Sequence, residues 1–252
     1  MQLSSTVKQH GSWHNQILML QKAFTMTTLL KIDFVSDVSC PWCVIGLRAL
    51  DQALERVKGE VTAELTFQPF ELNPQMGPAG QDISEHITQK YGITLDQANA
   101  NREAIRARGA ELGFVFSGTN TAGGGRSRIY NTFDAHRLLH WAQTVGLDKQ
   151  RALKESLFKA YFTDGESPAS HEVLVKLAAS VGLDAQQASE VLASNTYADD
   201  VRQQAQFYLN HGIHSVPAVI INNTHLISGG QPVEVFEQAL RQIAANSGNA
   251  VM

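Results

Sequence analysis

The chain has 252 residues, of which 43% are hydrophobic and 17% charged, a composition typical of one large or two coupled globular domains. Its formal net charge is −4 and no basic stripe runs along it, so nucleic acid is not an expected partner. No stretch is apolar for long enough to span a bilayer, and we expect no membrane partner.

The first 25 residues differ from the rest, because they contain two lysines and no acidic residue, the first acid being Asp33. Their longest apolar run, Ile17 to Leu20, is too short for the apolar region of a signal peptide. They also lack the arginines that are typical of a mitochondrial transit peptide. We therefore predict that residues 1–28 form a disordered tail or upstream extension and that the protein is cytoplasmic.

Apolar and polar side chains alternate over residues 29–35, which predicts a β-strand. After Cys40, apolar residues recur at helical spacing as far as Val57, and Pro41 suits the first helical position, where no N–H is needed. Alternation returns over residues 61–68 and predicts a second strand. A strand, helix and strand in so short a stretch predict a right-handed βαβ unit with parallel strands.

Residues 82–211 carry only helical periodicity, which favours an all-helical insertion. Near its end, Thr196 and Asp199 have the spacing of a capping box, which predicts that the last helix of the insertion opens there and stops near Gly212.

Strand patterns return over residues 217–221 and 224–228, on either side of Asn222 and Asn223. Asparagine tolerates positive φ, so this pair favours a tight hairpin turn. Pro232 then precedes a final amphipathic helix.

The two ends of the chain together predict a small mixed sheet flanked by helices, which is the thioredoxin arrangement. The predicted fold class is therefore α/β, a thioredoxin-like mixed sheet (βαβ plus ββα) with a large all-helical insertion. We assign residues 29–81 and 212–248 to a thioredoxin-like domain and residues 82–211 to a helical insertion domain.

The only two cysteines of the chain, Cys40 and Cys43, are separated by two residues at the start of the first predicted helix. A strand that leads into C-x-x-C at a helix start is typical of a thioredoxin-like redox site. Backbone N–H groups and the positive end of the helix dipole favour a thiolate at the first cysteine. We predict that Cys40 attacks a disulfide and that Cys43 resolves the mixed disulfide, with this redox-active pair and no bound cofactor.

Two other interpretations of the cysteines are a metal clip and a pair of inert core thiols. A zinc site would have to recruit two histidines, and His136 and His140 lie one turn apart on a predicted helix. Nothing else in the sequence supplies ligands next to the motif, so we predict no metal. Inert thiols at this spacing, between a strand and a helix, would be a coincidence.

Three polar or special positions near the motif have structural and functional interpretations. Asp37 is a loop cap or a proton relay to a buried thiol, and Asn131 is a helix cap or a residue lining the site. Pro217 opens a predicted strand, and the sequence leaves open whether the Val216–Pro217 bond is cis.

Several segments of the chain resemble the DsbA-like thioredoxin superfamily, and within it the FrnE-like oxidoreductases. They are residues 37–46, 69–74, 131–136, 212–217 and 229–232. The resemblance implies a cis Pro217 packed against the cysteine pair, a Val216 backbone that pairs with an extended substrate, and a helical insertion that roofs the site. Ser215 departs from the glycine that this branch often has before Val-Pro, which bears on the loop geometry.

The resemblance assigns Trp42, Val216 and Pro217 to substrate binding, and Asp37, Asn131 and His214 to supporting roles. The expected function is thiol–disulfide exchange with a thiol- or disulfide-containing protein or small molecule, with glutathione as a candidate co-substrate. Related kappa-class glutathione transferases and 2-hydroxychromene-2-carboxylate isomerases have Ser at the first motif position, where this chain has Cys40. A glutathione-dependent isomerase or transferase is therefore the alternative, followed by a non-catalytic binding module. Substrate, direction of exchange and oligomeric state stay open.

Overall fold

The computed structural model describes residues 27–77, 79–117 and 128–249. The predicted tail lies outside the described residues as far as residue 26. Thr28, which we assigned to that tail, instead begins the first strand and pairs with Val61.

A four-stranded mixed sheet forms the centre of the molecule. Its strands are β1 (Thr28–Ser36), β2 (Val61–Pro69), β5 (Ala218–Ile221) and β6 (His225–Ser228). They lie in the order β2-β1-β5-β6, with β1 parallel to β2 and antiparallel to β5, and with β5 antiparallel to β6. The predicted thioredoxin-like sheet, with its parallel βαβ half and its hairpin half, is confirmed.

Helices cover both faces of this sheet. Helix α1 (Pro41–Arg56) and the last helix, α9 (Val233–Asn249), pack on the face that carries Leu30, Ile32 and Phe34 of β1. These three side chains are at most 1% exposed, because alternate residues of a strand point to the same face. The opposite face is covered in part by Tyr208, which packs with Val35, Phe70 and Ala218.

Between the two halves of the sheet, the described residues form a series of helices and one short ladder. The helices are α2 (Ile83–Tyr91), α3 (Leu95–Glu111), α4 (Phe133–Val145), α5 (Leu147–Lys159), a π-helix (Ala160–Asp164), α6 (His171–Ser180), α7 (Ala185–Ala193) and α8 (Ala198–Asn210). The ladder pairs β3 (Gln81–Asp82) with β4 (Arg128–Ile129) in antiparallel fashion. Two-residue strands are too short to produce an alternating pattern, which is why sequence periodicity missed them. In the described part of the chain, no helix is both long and apolar enough for a membrane crossing.

The predicted capping box at Thr196 is wrong. The capping residue of α8 is Tyr197, which has φ 62° and makes no capping hydrogen bond through its side chain. The backbone N–H of Thr196 instead donates to Ser194 Oγ at 3.2 Å. Because the left-handed Tyr197 is the capping residue, α8 begins one position later than predicted. Thr196 and Asp199 therefore do not hold the two positions that a capping box requires.

The predicted hairpin turn is confirmed, since Asn222 and Asn223 have φ 51° and 57°. Asn222 also joins the turn to β1. Its side-chain oxygen accepts from the N–H of Lys31 at 3.0 Å, and its own N–H donates to the carbonyl of Lys31 at 2.8 Å. The hairpin is therefore held against the central strand, at the end of β5 remote from Pro217.

Helix α5 covers the outer edge of β2. The Gln150 amide accepts from the N–H of Phe67 at 3.0 Å and donates to the Phe67 carbonyl at 2.9 Å, and Gln150 is completely buried. The side chain thus replaces a neighbouring strand at one residue of an edge that would otherwise have unpaired backbone groups. This contact fixes α5 against the sheet.

Candidate redox site

The Cys-Pro-Trp-Cys motif lies where β1 passes into α1. Cys40 is the capping residue of the helix, with φ −93° and ψ 112°, and Pro41 occupies its first turn. The N–H of Cys43 donates to the carbonyl of Cys40 at 3.1 Å, which brings the second cysteine one turn into the helix. Both thiols are free. The two sulfur atoms are therefore carried by one rigid helical turn.

Both cysteines are buried and belong to the main core cluster, with Cys43 0% and Cys40 4% exposed. Trp42 between them is 43% exposed. Burial, followed by the hydrogen bond and charge interaction with Cys40, raises the pKa of the Cys43 thiol well above its usual range. The positive charge of Lys154 opposes this rise. Cys43 is consequently an uncharged thiol at neutral pH.

The Val216–Pro217 peptide bond is cis, and its loop lies directly against the motif. The Cys40 thiol donates to the carbonyl of Val216 across 3.6 Å, a normal distance for a sulfur donor. On the other side, the Pro217 carbonyl accepts from the N–H of Gly229 at 2.8 Å. The resemblance implied a cis bond at this position, and the bond is cis. The substrate-binding roles of Val216 and Pro217 stay predictions.

Two glycines allow the cis-proline loop to approach the motif. A Cβ atom at Gly46 would lie 2.9 Å from Pro217 Cγ, and one at Gly230 would lie 3.0 Å from the Trp42 carbonyl oxygen. Both distances are shorter than ordinary carbon contacts, so any larger residue would push the loop and the helix apart.

Asp37 is a fully buried loop cap. Its carboxylate accepts from the N–H of Ser39 at 3.0 Å and from the N–H of Leu72 at 2.7 Å, and it lies 3.9 Å from His136 Nε2. Burial alone would raise its pKa, but His136 and the two backbone donors outweigh burial and hold the pKa below its usual value. Asp37 therefore stays ionised and ties the motif loop to the segment after β2.

The other two predicted supporting residues lie in loops around the site. The capping residue of α4 is Thr132, and Asn131 stands one position before it. Asn131 accepts from the N–H of Phe133 at 2.9 Å and donates to the Pro74 carbonyl at 3.4 Å, so it holds the loop that leads into α4. His214 is exposed two residues before Val216. Its supporting role stays a prediction.

Both histidines considered as metal ligands lie on α4. His136 faces Asp37, and the ring of His140 lies 5.1 Å from that of Tyr197. Within the described ranges, no three His, Cys, Asp or Glu side chains are grouped so that they could hold a metal ion.

Sequence reasoning missed Lys154. The residue is 0% exposed, and its Nζ lies 4.8 Å from the ring centre of Phe158 and 5.9 Å from that of Phe67. Burial lowers its pKa to about 8, although interactions with the negative charges of Cys43, Asp37 and Cys40 act to raise the pKa. In the sequence, Lys154 looks like an exposed residue of an amphipathic helix, because no nearby residue indicates that a second surface covers it.

A mixed sheet with a free C-x-x-C pair at a helix start and a cis-proline loop beside it defines the thioredoxin-like class of folds. The family model of the DSBA-like thioredoxin domain matches residues 31–241, and the chain belongs to this family. Its assignment to the FrnE-like branch stays a prediction.

Known proteins are similar to the chain over most of its length. The uncharacterized protein YwbO of Bacillus subtilis (strain 168) is 29% identical over 216 residues, which are 85% of this chain and 96% of that protein. The crystal structure of a probable DsbA oxidoreductase from Streptomyces coelicolor is 33% identical with a TM-score of 0.76, over 86% of this chain and 90% of that one. The cytosolic disulfide reductase DsbM from Pseudomonas aeruginosa, solved with GSH, is 16% identical with a TM-score of 0.58, over 85% of this chain and 99% of that one. The last of these shows the fold alone.

Proposed function

We propose that the protein is a thiol–disulfide oxidoreductase that exchanges disulfides through a mixed disulfide at Cys40. The observation that carries the proposal is the position of the Cys40 sulfur, at the start of α1 and 3.6 Å from the Val216 carbonyl beside the cis-proline. A sulfur at a helix N-terminus is placed where backbone N–H groups favour a thiolate, the form that attacks disulfides.

In the reducing direction, the Cys40 thiolate attacks one sulfur of a substrate disulfide. The substrate S–S bond breaks, a Cys40–substrate S–S bond forms, and the released thiolate takes a proton from solvent. Cys43 then loses its proton and attacks the Cys40 sulfur, which forms the Cys40–Cys43 disulfide and releases the second substrate thiol. The same steps in reverse oxidise a substrate dithiol and return the pair to its reduced form.

The surroundings of Cys40 suit a thiol or disulfide carried by an extended peptide or a small molecule. Trp42 is 43% exposed next to the sulfur and offers an apolar contact, and the Val216 backbone lies beside it. Glutathione remains a candidate co-substrate, since the Pseudomonas aeruginosa relative was solved with GSH. A cytoplasmic location stays a prediction from the sequence.

The test compares Cys40→Ser with Cys43→Ser in the reduction of insulin disulfides by dithiothreitol. We expect the wild-type protein to accelerate the reaction and Cys40→Ser to abolish the acceleration. Cys43→Ser should instead accumulate a mixed disulfide that intact-mass spectrometry detects, because the resolving thiol is missing. Circular dichroism of both variants establishes that they are folded.

Other outcomes would identify the alternatives. A glutathione-dependent activity that survives in Cys43→Ser would favour an isomerase or transferase. A wild-type protein that is folded, has two reactive thiols and neither reduces nor oxidises any disulfide would overturn the proposal and leave a binding module.

A further inference from the structure

Lys154 carries a fully buried ammonium group. Its Nζ is fully shielded from solvent and makes no hydrogen bond to any group within residues 27–77, 79–117 and 128–249. Nζ lies 4.8 Å from the ring centre of Phe158 and 5.9 Å from that of Phe67. A buried charge of this kind costs free energy unless a nearby opposite charge offsets it, so its presence in the core requires a reason.

The position of Lys154 follows from the anchoring of α5. Gln150 lies one helical turn earlier on the same face and is tied to both backbone groups of Phe67. This anchor directs the next turn into the core cluster that contains Cys43, Phe67 and Phe158. The Nζ of Lys154 thereby lies at the rings of Phe67 and Phe158, two members of the core cluster that also contains Cys43.

Three acidic groups act on the charge of Lys154. Cys43, Asp37 and Cys40 each raise the pKa of the Lys154 ammonium against the effect of burial, Cys43 first among them, and Cys43 shares the core cluster with the two rings that face Nζ. The Asp37 carboxylate is already bound by two N–H groups and faces His136. A fourth buried acidic group, the hydroxyl of Tyr161, is also engaged, since it donates to the Arg128 carbonyl at 3.0 Å. Cys43 is therefore the group whose change of charge Lys154 can best accompany.

We propose that the Lys154 ammonium is the buried counter-charge that stabilises the Cys43 thiolate while it resolves the mixed disulfide. The inference rests on the proposed function. Without a nearby cation, a thiol that is 0% exposed would form its thiolate only at high pH. The flexible stem of lysine lets the ammonium follow the sulfur as its charge develops.

The step balances as follows. Cys43 releases its proton to solvent, and its thiolate attacks the Cys40 sulfur of the mixed disulfide. The Cys40–Cys43 bond forms, the bond to the substrate breaks, and the substrate leaves as a thiolate that takes up a proton from solvent. Once the pair is oxidised, neither sulfur carries a charge, so Lys154 loses its counter-charge and holds its own proton less tightly.

The first experiment measures the thiolate of Cys43 directly and needs no enzymatic activity. In Cys40→Ser, the ultraviolet absorbance of the thiolate is followed against pH, with and without Lys154→Met. We expect Lys154→Met to raise the apparent pKa of Cys43 by at least about one unit, which lowers the thiolate fraction about tenfold at a fixed pH below that pKa. Lys159→Met, the same exchange at an exposed position of α5, should leave the titration unchanged.

The second experiment measures resolution in the protein with both cysteines. Dithiobis(nitrobenzoate) reacts with Cys40, and the attack of Cys43 then releases a second coloured thiolate in an intramolecular phase. At neutral pH we expect Lys154→Met to slow this second phase about tenfold, in line with the lower thiolate fraction, and to leave the first phase within about twofold. Raising the pH should restore the rate of the variant.

Folding is a separate readout, since methionine fills a similar volume without a buried charge. We expect Lys154→Met to be at least as stable as the wild type towards urea. If the variant is folded and both the Cys43 titration and the second phase are unchanged, the inference is wrong even where insulin reduction succeeds. If the titration shifts but no disulfide substrate is turned over, the charge pairing stands and the proposed function fails.

Discussion

The two cysteines of one helical turn face opposite kinds of surroundings. On the Cys40 side lie an exposed tryptophan, a backbone carbonyl and the cis-proline loop, all uncharged and held in place by close packing at glycines. On the Cys43 side lies the buried cation of Lys154, which opposes the rise of the Cys43 pKa. Shape therefore controls access to the first sulfur, whereas burial, opposed by the charge of Lys154, controls the ionisation of the second.

The largest effect is expected on the Cys43 side, from Gln150→Leu. Leucine leaves the buried N–H and carbonyl of Phe67 without partners, and each unsatisfied group costs about 1–3 kcal/mol. We expect the free energy of unfolding to fall by about 3 kcal/mol, as measured by urea denaturation. Gln186→Leu, which removes an exposed amide contact on α7, should change it by less than about 0.5 kcal/mol. Equal effects of the two exchanges would mean that the Gln150 contact does not fix α5.

The next largest effect on stability is expected at Asp37, in the loop between β1 and Cys40. Asn at this position keeps one acceptor oxygen where the carboxylate offers two, so we expect a loss of about 2 kcal/mol at neutral pH. The pKa of Asp37 is lowered by folding, so its contribution is complete above its unfolded value of about 4 and disappears as the pH falls through the folded value.

The pH dependence of stability checks this sign. Wild-type stability should fall more steeply below about pH 4 than that of Asp37→Asn, so the two curves converge in acid. Asp184→Asn, an exchange at the exposed capping residue of α7, should leave the acid limb of the curve nearly parallel to that of the wild type. Parallel curves for Asp37→Asn would contradict its assignment as a buried carboxylate.

The smallest effect on stability is expected on the Cys40 side, from Gly46→Ala. The added Cβ would lie 2.9 Å from Pro217 Cγ, so the loop must move away from the helix. Overpacking of this kind lowers the free energy of unfolding by about 1–2 kcal/mol. We expect the rate of insulin reduction to respond more strongly than the free energy of unfolding does. Gly59→Ala is the control, since no atom lies within 4 Å of a Cβ there. Unchanged insulin reduction in Gly46→Ala would show that the loop position does not limit access to Cys40.

These variants also separate what was predictable from what was not. The motif, the parallel βαβ unit and the turn at Asn222 and Asn223 were predictable because each depends on neighbours within a few residues or on a simple periodicity. The capping box at Thr196 failed at the same local level, since one left-handed residue, Tyr197, moved the helix start by a single position. The two-residue ladder of β3 and β4 left no periodic signal at all.

Gln150 and Lys154 were not predictable for a different reason. In α5 they occupy positions where a polar side chain normally faces water, and only contact with β2 and the core cluster makes them buried. Phe67, which both residues contact, is 83 positions from Gln150 in the chain. Local spacing contains no information about such contacts.

By itself, the sequence determined that two thiols stand at a helix start, because helix geometry and the C-x-x-C spacing are local properties of the chain. Tertiary structure alone decided which surfaces meet those thiols. Val216 is 176 residues from Cys40 in the chain and within 3.6 Å of its sulfur in the fold, and Lys154 reaches the core only because α5 is held against β2. Burial is a property of packed surfaces, and burial makes a lysine that the sequence leaves unremarkable act on the ionisation of a thiol.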